Sequence, residues 1–125
     1  MKFYKCSVCG NIVEAISESK GHLSCCGKPM EELAANSTDA AKEKHVPVVT
    51  REGGTIVVKV GEVEHPMTAE HLIQWIAICQ SGKMQRVELN AQCTPMATFA
   101  IDSIEAIEVY EYCNLHGLWK TDYEV

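Results

Sequence analysis

Positive charge is scarce in this chain and nowhere concentrated. Eleven Lys and Arg stand against 17 Asp and Glu, for a net charge of −6, and no run of basic residues interrupts the sequence. Nucleic-acid-binding domains normally carry a basic patch or stripe, so the balance argues against that class of partner. Long apolar runs are missing as well. No segment approaches the ~18 consecutive apolar residues of a membrane span. The opening Met1-Lys2-Phe3-Tyr4-Lys5-Cys6 has neither the apolar stretch nor the cleavage site of a secretory signal. The expected location is therefore cytoplasmic, with no membrane and no nucleic acid as partner. Internal repeats and low-complexity segments are absent too. In a reducing compartment, clustered cysteines read as metal ligands or catalysts rather than as disulfides.

Cysteine and histidine are what the chain does have, and they are grouped. Cys6-Ser7-Val8-Cys9-Gly10 is followed by Cys25-Cys26-Gly27. Two cysteines separated by two residues, with two more close by, form the pattern of a tetrathiolate metal site. Backbone amides after the first thiolate can point back at sulfur, and glycine after the second permits the tight turn. The adjacent pair Cys25-Cys26 can reach one ion only if the backbone bends sharply. Zinc held purely to fold the module remains open, since ligand softness does not choose iron over zinc.

A second set lies further along. His45 stands in Glu43-Lys44-His45-Val46-Pro47, His65 in Glu64-His65-Pro66-Met67, and His71 in Glu70-His71-Leu72. Cys113 and His116 share Cys113-Asn114-Leu115-His116-Gly117. Four imidazoles and one thiolate exceed the closed tetrahedron that zinc prefers. They would leave one octahedral position vacant, which suits a redox iron that must touch a small substrate. Local positive charge can still exist around such a site, and Lys44 is placed to provide it.

The length fits one small module plus a domain of about 90 residues. A stretch below ~40 residues cannot bury enough apolar surface to fold alone, and the N-terminal cysteines meet that need with a metal. Residues 2–5 and 11–16 read as strands flanking the first cysteine turn. Residues 33–42 are small and polar and read as a linker, with a helical turn capped at Thr38 or Asp39. Beyond it, β-branched or apolar runs at 46–50, 55–60, 72–79, 86–89, 96–101 and 104–112 read as short strands. About seven strands at regular spacing indicate an all-β antiparallel sandwich or barrel.

Taken together, in this order along essentially the whole chain, these motifs resemble desulfoferrodoxin, the two-iron form of superoxide reductase. The resemblance implies a desulforedoxin-like module over residues 1–36, binding iron through Cys6, Cys9, Cys25 and Cys26. It implies an immunoglobulin-like β-sandwich over residues 37–125, with a second iron held by His45, His65, His71 and His116 in a plane and by Cys113 on the axis. Glu43 matches the glutamate that can occupy the sixth position of the oxidised iron, and Lys44 the lysine that draws in substrate. The implied reaction converts superoxide to hydrogen peroxide, with electrons from a rubredoxin-like donor, in a homodimer.

Three other readings stand beside this one: an electron carrier without catalysis, a superoxide dismutase, and a zinc-ribbon-like interaction module fused to a sandwich. The remaining candidates take plain roles. His22 reads as an exposed loop residue, Cys79 and Cys93 as small buried hydrophobes, and Trp75 and Trp119 as packing residues, Trp119 shielding the site beside Gly117.

Overall fold

A computed structural model describes residues 1–125. The chain divides into two compact units, Met1–Ala34 and Ala35–Val125. In the first unit, β1 (Lys2–Lys5) pairs antiparallel with β2 (Ile12–Ala15). A two-residue hairpin follows, β3 (Ser24–Cys25) against β4 (Lys28–Pro29), and β5 (Glu31–Glu32) pairs with the free edge of β1. The β1–β2 connection carries Cys6 and Cys9, and the β3–β4 turn carries Cys25 and Cys26. Phe3 and Cys6 are the buried apolar residues of this unit. So little apolar burial leaves the module dependent on a cross-link between its two turns.

The second unit opens with one helical turn, α1 (Lys42–His45), and continues as seven strands. These are β6 (Pro47–Glu52), β7 (Thr55–Val60), β8 (Ile73–Gln80), β9 (Lys83–Glu88), β10 (Met96–Ala100), β11 (Ile107–Cys113) and β12 (Gly117–Tyr123). They form two antiparallel sheets, ordered β10-β7-β6 and β12-β11-β8-β9. Strand side chains alternate between faces. Ile56, Val58 and Val60 of β7 meet Ile76 and Ile78 of β8, Phe99 of β10, and Ile107 and Val109 of β11 in one core. Burying each such side chain is worth roughly 1.5–3 kcal/mol. The fold is the expected all-β sandwich.

Several local expectations shift. The linker's helical turn starts at Lys42 behind Ala41, with no side-chain cap, and neither Thr38 nor Asp39 serves. Asn36 does something more specific. Its backbone N–H donates to Leu118 O, its Nδ2 donates to Lys120 O, and its Oδ1 accepts from Lys120 N, so one side chain pairs the outer edge of β12. Such pairing blunts an edge that would otherwise present free backbone groups. β12 itself has little β-branched character and was not expected. It forms because β11 offers a complete ladder, from Ile107 opposite Tyr123 to Cys113 opposite Gly117. Cys79 and Cys93 are half-buried, not core residues.

One polar residue lies inside the core. Glu111 shares the inner face of β11 with Ile107, Val109 and Cys113, stands opposite Ile76 on β8 and Trp119 on β12, and is fully buried. Neither carboxyl oxygen has a hydrogen-bond partner. Burial pushes its carboxyl well above the ordinary range, because a charge there would be desolvated without compensation. Glu111→Met keeps the length of the side chain and removes the unpaired carboxyl. With a relief of about 1 kcal/mol, the thermal midpoint of the metal-loaded protein is expected to rise by about 4 °C or more. A lower midpoint by calorimetry would show that the carboxyl is satisfied in solution.

Candidate metal centres

In the first unit the two turns bring four sulfurs together, with the Sγ atoms of Cys6, Cys9, Cys25 and Cys26 all within 4.8 Å of one another. The sharp bend needed at the adjacent pair is present: Cys26 has φ +53° and Gly27 φ +73°. Gly10 has φ +82°, and its N–H reaches Cys6 O at 3.0 Å, closing the first turn. Val8 and Cys9 N–H groups donate to Cys6 Sγ at 3.4 and 3.5 Å. These two donors, Cys9 first, draw the Cys6 thiol down to about 6. Hydrogen bonding with the Cys9 sulfur, then with those of Cys25 and Cys6, pushes Cys26 up to about 12. Four thiols thus compete for few donors, and a cation is what lets them all ionise. The sulfur spacings fit. Cys9–Cys25 is 3.6 Å and Cys25–Cys26 3.9 Å, against about 3.8 Å between corners of a tetrahedron with ~2.3 Å metal–sulfur bonds. Cys6 is buried, while Cys9 and Cys26 are exposed.

The second unit gathers histidines from three separate segments. His45 ends α1, His65 and His71 lie in the connection between β7 and β8, and His116 follows β11 in the turn to β12. Their rings form a closed circuit. Centroids are 4.8 Å apart for His45–His65, 4.6 Å for His65–His71, 5.1 Å for His71–His116 and 4.8 Å for His116–His45, each ring 73–84° from the next. Cys113 Sγ lies within 4.8 Å of the ligand atoms of His45, His65 and His71. His116 Nδ1 lies 3.8 Å from that sulfur and 3.1 Å from His45 Nε2. All five residues expected from the sequence therefore converge.

Hydrogen bonds determine which nitrogen each ring offers. His45 Nδ1–H donates to Ala41 O at 2.7 Å, and His65 Nδ1–H to Pro66 O at 2.6 Å. Each leaves Nε2 as the bare base facing its neighbours. The Nε2 atoms of His65 and His71 are buried without any partner. Buried bases facing one another with nothing to donate to them are costly, unless an ion takes their lone pairs. His116 contributes Nδ1. Burial lowers the pKa of His45 and His71 and takes His65 to about 4. Burial also pushes the Cys113 thiol up, and the N–H groups of Leu115 and His116 oppose it. A divalent ion would displace that proton. The chemistry and spacing of the donor set fit one iron.

Residues around this set hold it in place. Trp119 is 1% exposed, stacks on the His45 ring at 5.0 Å, and donates from Nε1 to His116 O at 3.1 Å. It therefore braces two of the rings beyond the shielding expected of it. Glu43 and Lys44 lie exposed on α1, two positions and one position before the buried His45. After burial, which dominates, Lys44's charge also acts on both His45 and His71 to lower their pKa. The helical turn is clamped from below. Val63 N–H donates to Glu43 O at 2.9 Å, and a Cβ at Gly61 would stand 2.5 Å from that same oxygen and 2.9 Å from Lys44 C. Only glycine allows this approach. Gly61 carries no local signal in the sequence, because its partner lies on another segment.

Comparison with known proteins adds to this. A family profile described as Desulfoferrodoxin matches residues 37–122, and one described as Desulfoferrodoxin, N-terminal domain, matches residues 1–33. A desulfoferrodoxin of Syntrophotalea carbinolica is 49% identical over 122 residues, covering 98% of this chain and 96% of that protein. A superoxide reductase of Pyrococcus horikoshii is 35% identical over 107 residues, covering 71% of this chain and 93% of that one. The crystal structure of the superoxide reductase from Treponema pallidum is similar at a TM-score of 0.78 and 35% identity, over 96% of this chain and 97% of that one.

The depressed histidines give a signed pH dependence. In the unfolded chain they take up protons near the ordinary 6.5, whereas folded His65 stays neutral until about 4. The unfolded state thus binds more protons in that interval, and stability falls as pH is lowered from about 6.5 towards 4. Circular dichroism and retained iron, followed across this range, are expected to decline together. A flat profile from pH 7 to 4 would contradict the buried neutral imidazoles. Separately, Gly61→Ala is expected to move the Glu43–Lys44 backbone while sparing the ring of histidines. That is checked by an unchanged thiolate–iron absorption band alongside an altered salt dependence of anion binding.

Proposed function

Because the chain belongs to the desulfoferrodoxin family, we propose that it is a superoxide reductase, which joins one electron and two protons to superoxide and releases hydrogen peroxide. The observation that carries this is the circuit of four imidazoles closed by one buried thiol. Five donors leave an octahedral ion one position for a small diatomic anion. Iron held there supplies the electron by passing between its ferrous and ferric states.

The chain's own residues do the rest. His45, His65 and His71 present Nε2, His116 presents Nδ1, and Cys113 presents sulfur. The main-chain N–H groups of Leu115 and His116 spread the sulfur's charge and so tune its donation. Lys44 attracts the anionic substrate and raises its encounter rate. Glu43, beside it, is the carboxylate that would serve as a further ligand to oxidised iron. Trp119 and the carbonyls of Ala41 and Pro66 keep the rings from turning.

Residues 1–36 serve as the tetrathiolate module, with iron on Cys6, Cys9, Cys25 and Cys26, and residues 37–125 as the catalytic domain. The exposure of Cys9 and Cys26 supports electron intake at that module, from a rubredoxin-like donor. A homodimer working in the cytoplasm completes the reading.

The deciding experiment is the peroxide yield per superoxide consumed, measured with excess rubredoxin-type reductant. One peroxide per superoxide, with donor oxidised in step, is expected. One peroxide per two superoxides, with oxygen evolved and donor untouched, would mean dismutation. Cys113→Ser is expected to abolish turnover while leaving the far-ultraviolet circular dichroism intact, and retained activity with an unchanged spectrum would sink the role given to that sulfur. Lys44→Ala should slow the bimolecular step roughly 10-fold at low salt and flatten its ionic-strength dependence. An unchanged rate in pulse radiolysis would refute the steering role.

A further inference from the structure

His71 differs from the other two Nε2 donors. The rings of His45 and His65 are each fixed by an Nδ1–H bond to a carbonyl, whereas the His71 ring makes no hydrogen bond within the protein. His71 is also the less buried of the three. A ring without such a bond keeps its aim only through its backbone, and the backbone here is held at unusual density. Thr68 takes the peptide groups of His71 itself: its Oγ1 accepts from His71 N at 3.0 Å, and its N–H donates to His71 O at 2.9 Å. Asn114 takes the residues on either side. Its Nδ2 donates to Glu70 O at 2.9 Å, its Oδ1 accepts from Leu72 N at 3.0 Å, and its own N–H donates to Leu72 O at 3.2 Å.

Asn114 lies between Cys113 and His116 in sequence. These three bonds therefore tie the segment carrying His71 to the turn carrying the thiolate and the fourth imidazole, across 42 residues of chain. An aspartate could not donate to Glu70 O, and serine or threonine is too short to straddle both neighbours, so the amide's donor–acceptor pair suits the task. We propose that Asn114 is a positioning residue that aims His71 at the metal, taking the part that ring hydrogen bonds play for His45 and His65. This rests on the metal-site assignment above and not on the reaction assigned to it.

The test is iron retention in the full-length, ferrous-loaded protein challenged with a strong chelator. Aliquots are oxidised, and the high-spin ferric signal of the imidazole–thiolate site is counted by electron paramagnetic resonance, which separates it from tetrathiolate iron. Asn114→Ala is expected to release this iron roughly 10-fold faster than the parent protein, as loss of an outer-shell support typically does. Gln80→Ala is the control. Gln80 also clamps a loop with two side-chain bonds, to Ser103 O and Glu105 O, but at the opposite end of β8. Its release rate is expected to match the parent. Equal acceleration in both variants would reduce Asn114 to general stability and overturn the proposal, and so would an unchanged rate in Asn114→Ala. If the alanine variant does not fold, the near-isosteric Asn114→Leu is measured in its place. Failure of both to fold while Gln80→Ala folds would assign Asn114 to the fold itself, against the proposal. A parent protein that holds no iron in this site would instead refute the metal-site assignment.

Discussion

Two short hydrogen bonds, from His45 Nδ1–H to Ala41 O and from His65 Nδ1–H to Pro66 O, decide what the larger unit can do. They lock each imidazole into one tautomer and turn its bare nitrogen inward. Both acceptors are main-chain carbonyls, so ring orientation is set by the path of the backbone. That path is set by the sheets. The register of β11 on β8 shifts between Tyr112 and Cys113, which brings Cys113 opposite Ile73, where the connection bearing His65 and His71 enters β8. The sandwich thus determines where the loops end, and the loops determine which lone pairs meet.

The two clusters solve opposite electrostatic problems. Four thiolates overcompensate a divalent ion, and the module softens this with N–H donors to Cys6 and an Asn11 amide towards Cys25. One thiolate among neutral imidazoles undercompensates it. The larger unit therefore keeps a net positive centre inside an acidic chain, and the Lys44 ammonium adds to it. In a chain of net charge −6, such a local positive centre is where an anion gains attraction, which favours rate.

Much of this was legible from the residues. The strand Thr55–Val60 follows from a β-branched run entered through Gly53-Gly54, and the structure has those same bounds. The donor set could be read because each histidine and cysteine stands in a recognisable short context. What escaped depends on partners distant in sequence. β12 is a strand by virtue of β11, and Asn36 closes its edge through contacts spanning 84 residues. Gly61 matters because the Glu43 carbonyl presses on it, and Trp119, expected only to shield the site, also braces it because it stacks on a ring 74 positions earlier, by the difference of their numbers. Glu111 is the third glutamate in a run that carries one at every third position, 105, 108 and 111, a spacing that gives no hint it faces the core. Local pattern reports the period of a strand, not what closes over it.

The spread of the ligands along the chain also imposes an order of events. The tetrathiolate is complete within one short stretch, whereas the other site waits for Cys113 to pair back onto Ile73 of β8, 40 positions earlier by the difference of their numbers. Long closures come late, and synthesis exposes the N-terminal residues first. Iron met by a half-made chain finds four thiols ready and only unpaired histidines beyond them. Metallation is therefore sequential, the tetrathiolate first and the reactive centre only once the sandwich has closed.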